Sequence, residues 1–258
     1  MAQLIRSAKP GSDWTANELD AYHITVVSQT KQQFFGVPSL PAPARPSLVG
    51  FMTTEDRQLA VDSETRKMLH YLDLALDPKA GQEAAVFNFT SKLLEKLGYD
   101  DGDRIIFVRH ALPLVICGVS SSAQTDICVM DDNEILLLVQ EDKRLLSLKD
   151  PEPQVIAEAI AAFAVNNKVQ VESQHLLPLA TATFPAIIMV GTYPIFYKII
   201  VTAELSTAVL QGMYPANETR VFKYNPVLPR RQSLGMRPLE NRVEILACLE
   251  AFKQFLGD

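Results

Sequence analysis

The feature that most constrains this chain is a polar-bounded apolar hairpin followed by a helix, spanning residues 122–167. Within it, Ile135 to Val139 (I-L-L-L-V) is an uninterrupted apolar run, too short for a typical helix and rich in branched residues. The run therefore predicts a buried β-strand. It closes abruptly in Gln140, Glu141, Asp142 and Lys143. A second apolar strand precedes it, beginning at Asp126, and Asp131 to Glu134 supply a polar turn between the two. With a four-residue loop, or a two-residue loop in the same register, Met130 lies opposite Ile135 and Asp126 faces Val139. Side chains alternate along a strand, so Asp126, Glu141 and Lys143 then share one face, while Asp142 points to the other. A loop of odd length would break this parity.

Amphipathic helices bracket the hairpin. Gln82 to Leu97 carries an inner stripe of Val86, Phe89, Leu93 and Leu97 and stops at Gly98. Asp150-Pro151 is a cap followed by a first-turn proline, and Val155, Ile156, Ala159, Ile160 and Phe163 form the inward face of the helix that follows. Gln154 and Glu158 lie one turn apart on it. Arg104 to Val108 and Leu112 to Gly118 supply earlier strand material, and Phe184 to Val190 and Ile195 to Val201 a later hairpin around Gly191. Helices alternating with buried strand runs predict an α/β fold with a mixed central sheet flanked by helices and an N-terminal helical extension. At 258 residues the chain reads as a single domain. Residues 1–80 form an extension packed on the core, 81–202 the core itself, and 203–258 a C-terminal helical part.

Asp126 on one strand and Glu141-Asp142-Lys143 on the next resemble the motif of the PD-(D/E)XK superfamily, the restriction-endonuclease-like nucleases. The resemblance covers roughly residues 82–202 and includes the order helix, three strands, helix, strand. Thr125 stands where the motif has proline. The chain also resembles a group of uncharacterised fungal proteins, which brings no activity with it. The resemblance implies a restriction-endonuclease-like fold and a divalent-metal-dependent nuclease. Asp126 and Glu141 would be oxygen ligands for Mg²⁺ or Mn²⁺, and Lys143 would hold or help deprotonate the attacking water. Glu83 has two readings, a further metal ligand or a charge that complements the helix dipole. Gln154 matches a glutamine some superfamily members carry, Glu158 departs from the tyrosine that follows it there, and whether the pair faces the site is open. The alternative is a nuclease-like fold that binds or interacts without hydrolysis, and a different metal–carboxylate reaction on a small molecule is a third reading.

The net charge of −6 argues against a protein that coats nucleic acid, because counterion release needs clustered Lys and Arg, yet it leaves room for a local basic groove. Arg220, Lys223, Pro229-Arg230-Arg231 and Arg237 make the basic cluster that stands out, with a phosphate contact or a solvated loop as its readings. Nucleic acid, DNA or RNA, is the partner the resemblance implies; oligomeric state is left open. Three cysteines without metal-ligand spacing read as free thiols of a reducing, intracellular compartment, cytoplasmic or nuclear. No apolar run is long enough to cross a membrane, and the N-terminus lacks a signal-peptide pattern. Residues 1–13 read as a loose tail, Trp14 to Ala21 as a short helix capped by Ser12 or Asp13, and His23 to Ser28 as a strand. Pro38 to Pro46 reads as an extended connector, and Thr53 to Asp56 as a capping box opening a helical stretch, in one piece or two, that runs to Leu76. Tyr197 and Lys198 read as a packed ring beside a solvated amine.

Overall fold

The computed structural model describes residues 6–79, 84–132, 134–141 and 150–257. In chain order the elements are α1 (Ala16–Ala21), β1 (Ile24–Ser28), α2 (Lys31–Phe35), α3 (Pro46–Thr53), α4 (Ser63–Leu76), α5 (Ala85–Leu97), β2 (Ile105–Ile116), β3 (Val119–Asp131) and β4 (Glu134–Glu141). There follow α6 (Glu152–Lys168), β5 (Thr181–Val190), β6 (Tyr193–Thr202), α7 (Ala203–Gln211), β7 (Thr219–Tyr224) and α8 (Leu239–Phe252). Seven strands form one mixed sheet in the order β1-β7-β6-β5-β4-β3-β2, so the α/β class with a helix-flanked central sheet is the observed architecture.

The central part follows from the apolar patterning. β2, β3 and β4 are an antiparallel meander, α6 crosses over, and β5 pairs in parallel with β4 from Leu138↔Ala186 to Glu141↔Met189. A parallel neighbour requires such a crossover and buries the strands it joins, which is why Ile135–Val139 is apolar at almost every position. α6 is correspondingly apolar on most sides, with Val155 to Phe163 buried without a break. Gly98 and Gly212 end α5 and α7 in the left-handed conformation that closes a helix without a Cβ clash. Asp150 Oδ1 accepts from the Glu152 N–H at 3.1 Å, as the cap-then-proline sequence requires.

Several expectations need correction. The strand expected from His23 to Ser28 is present as β1, so the N-terminal extension is not helical alone. β1 pairs in parallel with β7 and forms an edge of the sheet, and β7 itself lies in the stretch expected to be helical. Two of the residues read as a basic loop, Arg220 and Lys223, are on β7. Thr53 does not open a helix. It ends α3, and its hydroxyl donates to the Val49 carbonyl one turn back, while Asp62 caps α4 by accepting from the Thr65 N–H. Thr15, not Ser12 or Asp13, caps α1, in a reciprocal box with Glu18. Lys198 is not solvated: its amine donates to the Phe34 carbonyl at 2.7 Å and lies 4.6 Å from the Phe34 ring centre, and burial lowers its pKa.

Residues 10–13 are not a loose tail. They pack where β3 meets α6, and glycine is required there. A Cβ on Gly11 would sit 2.9 Å from the Ala123 Cβ and 3.4 Å from the Ala157 Cβ. Behind this segment Trp14 is fully buried and stacks on Tyr22. At the other end of the sheet Phe34, Phe35, Phe196, Tyr224, Phe252 and Phe255 interlock and fix α2 and α8 over β6 and β7.

Candidate functional site

The site is built where β3 and β4 part company. The β3–β4 ladder runs from Asp131↔Glu134 to Ile127↔Val139, with Met130 opposite Ile135 as alternation predicts. A bulge then shifts the register between Val129 and Met130, and Leu136 is the extra residue. Val139 therefore faces Ile127, not Asp126. The parity argument fails by that one residue, and Asp126 lies instead at the level of Gln140.

Asp126 and Glu141 nevertheless border the same cavity, joined by a side-chain-to-backbone contact. Past Val139 the side chain of Asp126 takes over from the ladder. Its Oδ2 accepts from the Glu141 backbone N–H at 3.0 Å and from Gln140 Nε2 at 2.9 Å. Thr125, at the proline position of the motif, is buried, and its hydroxyl is shared between the Ile127 carbonyl at 2.6 Å and the Val139 carbonyl at 3.3 Å. A proline has no hydroxyl with which to pin the opening strands in this way. On the other side, Arg109 holds a left-handed conformation (φ 52°) at the position between the Val108↔Ile127 and His110↔Thr125 pairs, which is where Asp126 falls.

Asp126 and Glu141 line one cavity of 300 Å³ together with Gln140, Gln154, Asp150 and, from the N-terminal segment, Ser12. They also border a narrow cleft beneath Val86, Phe87 and Thr90 of α5. The pair Gln154–Glu158 does face the site: Gln154 lines the cavity and its Nε2 donates to Glu158 Oε1 at 3.0 Å. Glu158 is fully buried. Burial pushes its carboxyl well above the usual carboxylate range, the Gln154 hydrogen bond pulls the other way, and the negative charge of Asp126 adds to the rise. Burial likewise pushes the thiol of Cys128 up to about 12, with the Glu158 charge adding to it.

Lys143, Asp142 and Glu83 lie outside the described residues. Among the described residues no group of three or more His, Cys, Asp and Glu is arranged to hold a metal ion. Asp126 and Glu141 line the same cavity, beside Gln140 and Gln154. Two carboxylates are hard oxygen donors, the kind that suits Mg²⁺ or Mn²⁺.

The basic cluster expected near the C-terminus does not form a free patch. Arg220 pairs with Glu218, Lys223 with Glu152 at 2.6 Å, and Arg230 with Glu240. Glu152 Oε2 also accepts from the Tyr197 hydroxyl, so Lys223 and Tyr197 are locked to the first turn of α6. A different basic group gathers on and before α4, where Arg57, Arg66, Lys67 and His70 line a hollow with Asp62. It shares no lining residue with the carboxylate cavity. No helix among the described residues is long and apolar enough to cross a membrane. Cys117, Cys128 and Cys248 are free thiols.

Sequence reasoning missed three things: Gln140 as a partner of Asp126, the 10–13 segment, and the full burial of Glu158. Two had a readable signal. Gln140 is a polar residue continuing a buried strand, and Glu158 is a single acid within the run V-I-A-E-A-I-A-A-F. The placement of residues 10–13 had none beyond a glycine. No family model matches this sequence, and no curated protein matches it.

Proposed function

We propose that this protein is a divalent-metal-dependent nuclease of the PD-(D/E)XK type, hydrolysing phosphodiester bonds of DNA or RNA at the Asp126–Glu141 cavity. The observation that carries the reading is the cavity that Asp126 and Glu141 both line at the carboxyl end of a buried strand, although the register between their strands is broken. The order of elements supports it: α5, the β2-β3-β4 meander, α6 as crossover, and β5 parallel to β4, which is the order the motif leads one to expect.

Asp126 and Glu141 would hold the cation by oxygen, with Glu83 as a further ligand. When bound, the metal would supply Lewis-acid stabilisation of the phosphate and a lowered pKa for a bound water. The chain's own residues do the rest. The backbone N–H of Glu141 and the amide of Gln140 fix Asp126 in one orientation. Gln154 offers an amide to the cavity wall. Lys143, two residues past Glu141, carries the ammonium that would orient the attacking water and offset negative charge developing on the phosphate.

The test is hydrolysis of single- and double-stranded DNA and RNA with Mg²⁺ or Mn²⁺, run beside a thermal melt. Asp126→Asn, Glu141→Gln and Lys143→Ala should each remove activity while the protein stays folded. Divalent-metal binding should weaken most in the two carboxylate variants. A folded unmutated protein that cleaves none of the four substrates and binds neither metal would favour a nuclease-like fold used for binding alone.

A further inference from the structure

The sheet ends on β1 at one side and on β2 at the other. An edge strand presents unpaired backbone N–H and C=O groups, and proteins blunt it by shortness, charge, proline or a covering element. β1 is short, with the five residues I-T-V-V-S. β2 is 12 residues long, and only its second half is blunted. There Leu112, Leu114 and Ile116 are buried, and Pro113 has no N–H to offer. The Cys117 and Gly118 N–H groups that follow are taken by the Val209 and Leu210 carbonyls of α7. The first half, Ile105 to Val108, has none of these protections. Ile105, Phe107 and Val108 are 57%, 41% and 49% exposed, and among the described strands none pairs with this edge.

We propose that this edge is a self-association surface, at which Ile105–Val108 pairs antiparallel with the same strand of a second copy of the chain, about a two-fold axis through Ile106. The sequence is self-complementary in that register. Ile106 faces its own copy, Ile105 faces Phe107 of the second copy, and Asp103 faces Arg109. Asp103 and Arg109 are exposed and take part in no ion pair among the described residues. Two equivalent Asp–Arg pairs therefore close the ends of an apolar centre. A two-fold axis perpendicular to a continuous sheet must pass through a residue, because facing side chains share a face. Placed on Phe107, it sets Arg104 against His110 and Ile105 against Arg109. Placed on Ile105, it sets Asp103 against Phe107. Pro113 fixes which backbone groups are offered. With no N–H to give, it sits with its nitrogen toward the free edge, and the register with β3 is unbroken from Val108↔Ile127 to Pro113↔Ser122. Alternation then turns the N–H and C=O of Ile105 and Phe107 outward. These are the residues that an axis through Ile106 joins by hydrogen bonds. The left-handed conformation of Arg109 ends the straight run.

The inference stands apart from the nuclease reading. The test is sedimentation of the full chain over a wide concentration range, beside a thermal melt of each variant. Wild type should show a monomer–dimer equilibrium. Phe107→Lys places a charge on the exposed edge and should leave a folded monomer. Asp103→Arg and Arg109→Asp, each alone, oppose like charges in both symmetric pairs, and each should weaken the dimer by about 10-fold or more. The double variant Asp103→Arg/Arg109→Asp restores opposite charges and should return the affinity to within about 3-fold of wild type. Wild type that stays monomeric up to about 1 mM would overturn the proposal and leave the edge to a strand of a different protein. A dimer that survives Phe107→Lys in full would place the contact elsewhere and overturn it too. So would a double variant no tighter than either single one. Should Phe107→Lys not fold, the charge series decides by itself: loss in both single variants with recovery in the double supports the pairing, and equal affinity in all four proteins refutes it.

Discussion

Arg242 and Glu158 are both ionisable, both on long helices and both buried to within 1% of complete exclusion, yet the protein treats them in opposite ways. Arg242 is paired throughout. Its Nη1 donates to the Phe51 and Thr54 carbonyls at 2.7 Å each, its Nε to Met236 and its Nη2 to Arg237, and its plane lies 4.7 Å from the Phe51 ring centre. Burial lowers its pKa to about 10, still above neutral, so it stays charged. Glu158 has one hydrogen bond and one orphan oxygen. The comparison teaches where to look for chemistry. Polar groups that close the last turn of α3 onto α8 are satisfied by the chain itself, and the region is structural. Near Asp126, Gln140 Oε1 and Glu158 Oε2 have no partner among the described residues, and a buried polar atom left so asks for a physical reason.

The sharpest way to break the comparison is at Arg242. Arg242→Met keeps most of the volume but strips partners from four carbonyls in a region with little access to water. We expect a loss of about 3–5 kcal/mol, the scale of removing one side of a buried, hydrogen-bonded charge network. Urea denaturation with unchanged m-value reads it directly. A loss below about 1 kcal/mol would mean that water replaces the guanidinium and that the region is not closed. Asp126→Asn probes the other side. It should reduce hydrolysis by about 100-fold or more, as removal of a preorganised electrostatic group does, with little change in melting temperature. The variant keeps an oxygen for the Glu141 N–H. Measuring hydrolysis and melting on the same preparation separates this from a folding defect.

Thr125→Val comes next. The isosteric change removes the hydroxyl shared by the Ile127 and Val139 carbonyls. A cost of about 1–2 kcal/mol is expected for a buried acceptor losing its donor. Because Thr125 pins the point where β3 and β4 separate, the Asp126 side chain should also become more mobile. Carboxyl ¹³C relaxation of Asp126 checks that, and an unchanged signal would assign Thr125 to stability alone.

How much of this was legible depended on whether a feature has a local signature. The apolar run Ile135–Val139, the glycine stops at Gly98 and Gly212, the Asp150-Pro151 start and the Gly191 hairpin all state their structure within a few residues, and the sheet's centre followed from them. The bulge at Leu136 has no such signature. A leucine among leucines reads the same in or out of register, so the Asp126–Glu141 pairing was reached through alternation that the structure does not obey. β7 was hidden because Arg220 and Lys223 drew attention as charges and fall on opposite faces of the strand, Arg220 in line with Tyr224 and Lys223 in line with Val221, so no clean alternation announces it. Arg242 was invisible because its partners are backbone carbonyls far away in sequence, and no residue type announces a carbonyl in need of a donor. The two ends of the comparison thus differ in legibility as well as in pairing. Asp126 was found from a motif, and Arg242 from coordinates alone.

The pH dependence of stability carried by Glu158 has a fixed sign. The folded-state pKa of Glu158 is raised, so above the unfolded value of a glutamate the native state retains a proton that the unfolded chain has released. Stability then falls as pH rises, because the native state binds more protons than the unfolded one. The contribution is fully present below the unfolded pKa and drains away as pH climbs toward the folded one. In Glu158→Gln that drain is absent, since the amide does not titrate. Subtracting the two stability curves should therefore give a difference that is small near pH 4 and grows in favour of the variant toward pH 8, with a slope of at most about 1.4 kcal/mol per pH unit. Arg242→Lys, measured over the same range, should show no such slope, because both side chains remain charged throughout. Parallel curves for wild type and Glu158→Gln would mean that Glu158 is ionised in the folded protein. The distinction drawn between a fully paired buried cation and an underpaired buried acid would then have to be redrawn as one between two charges.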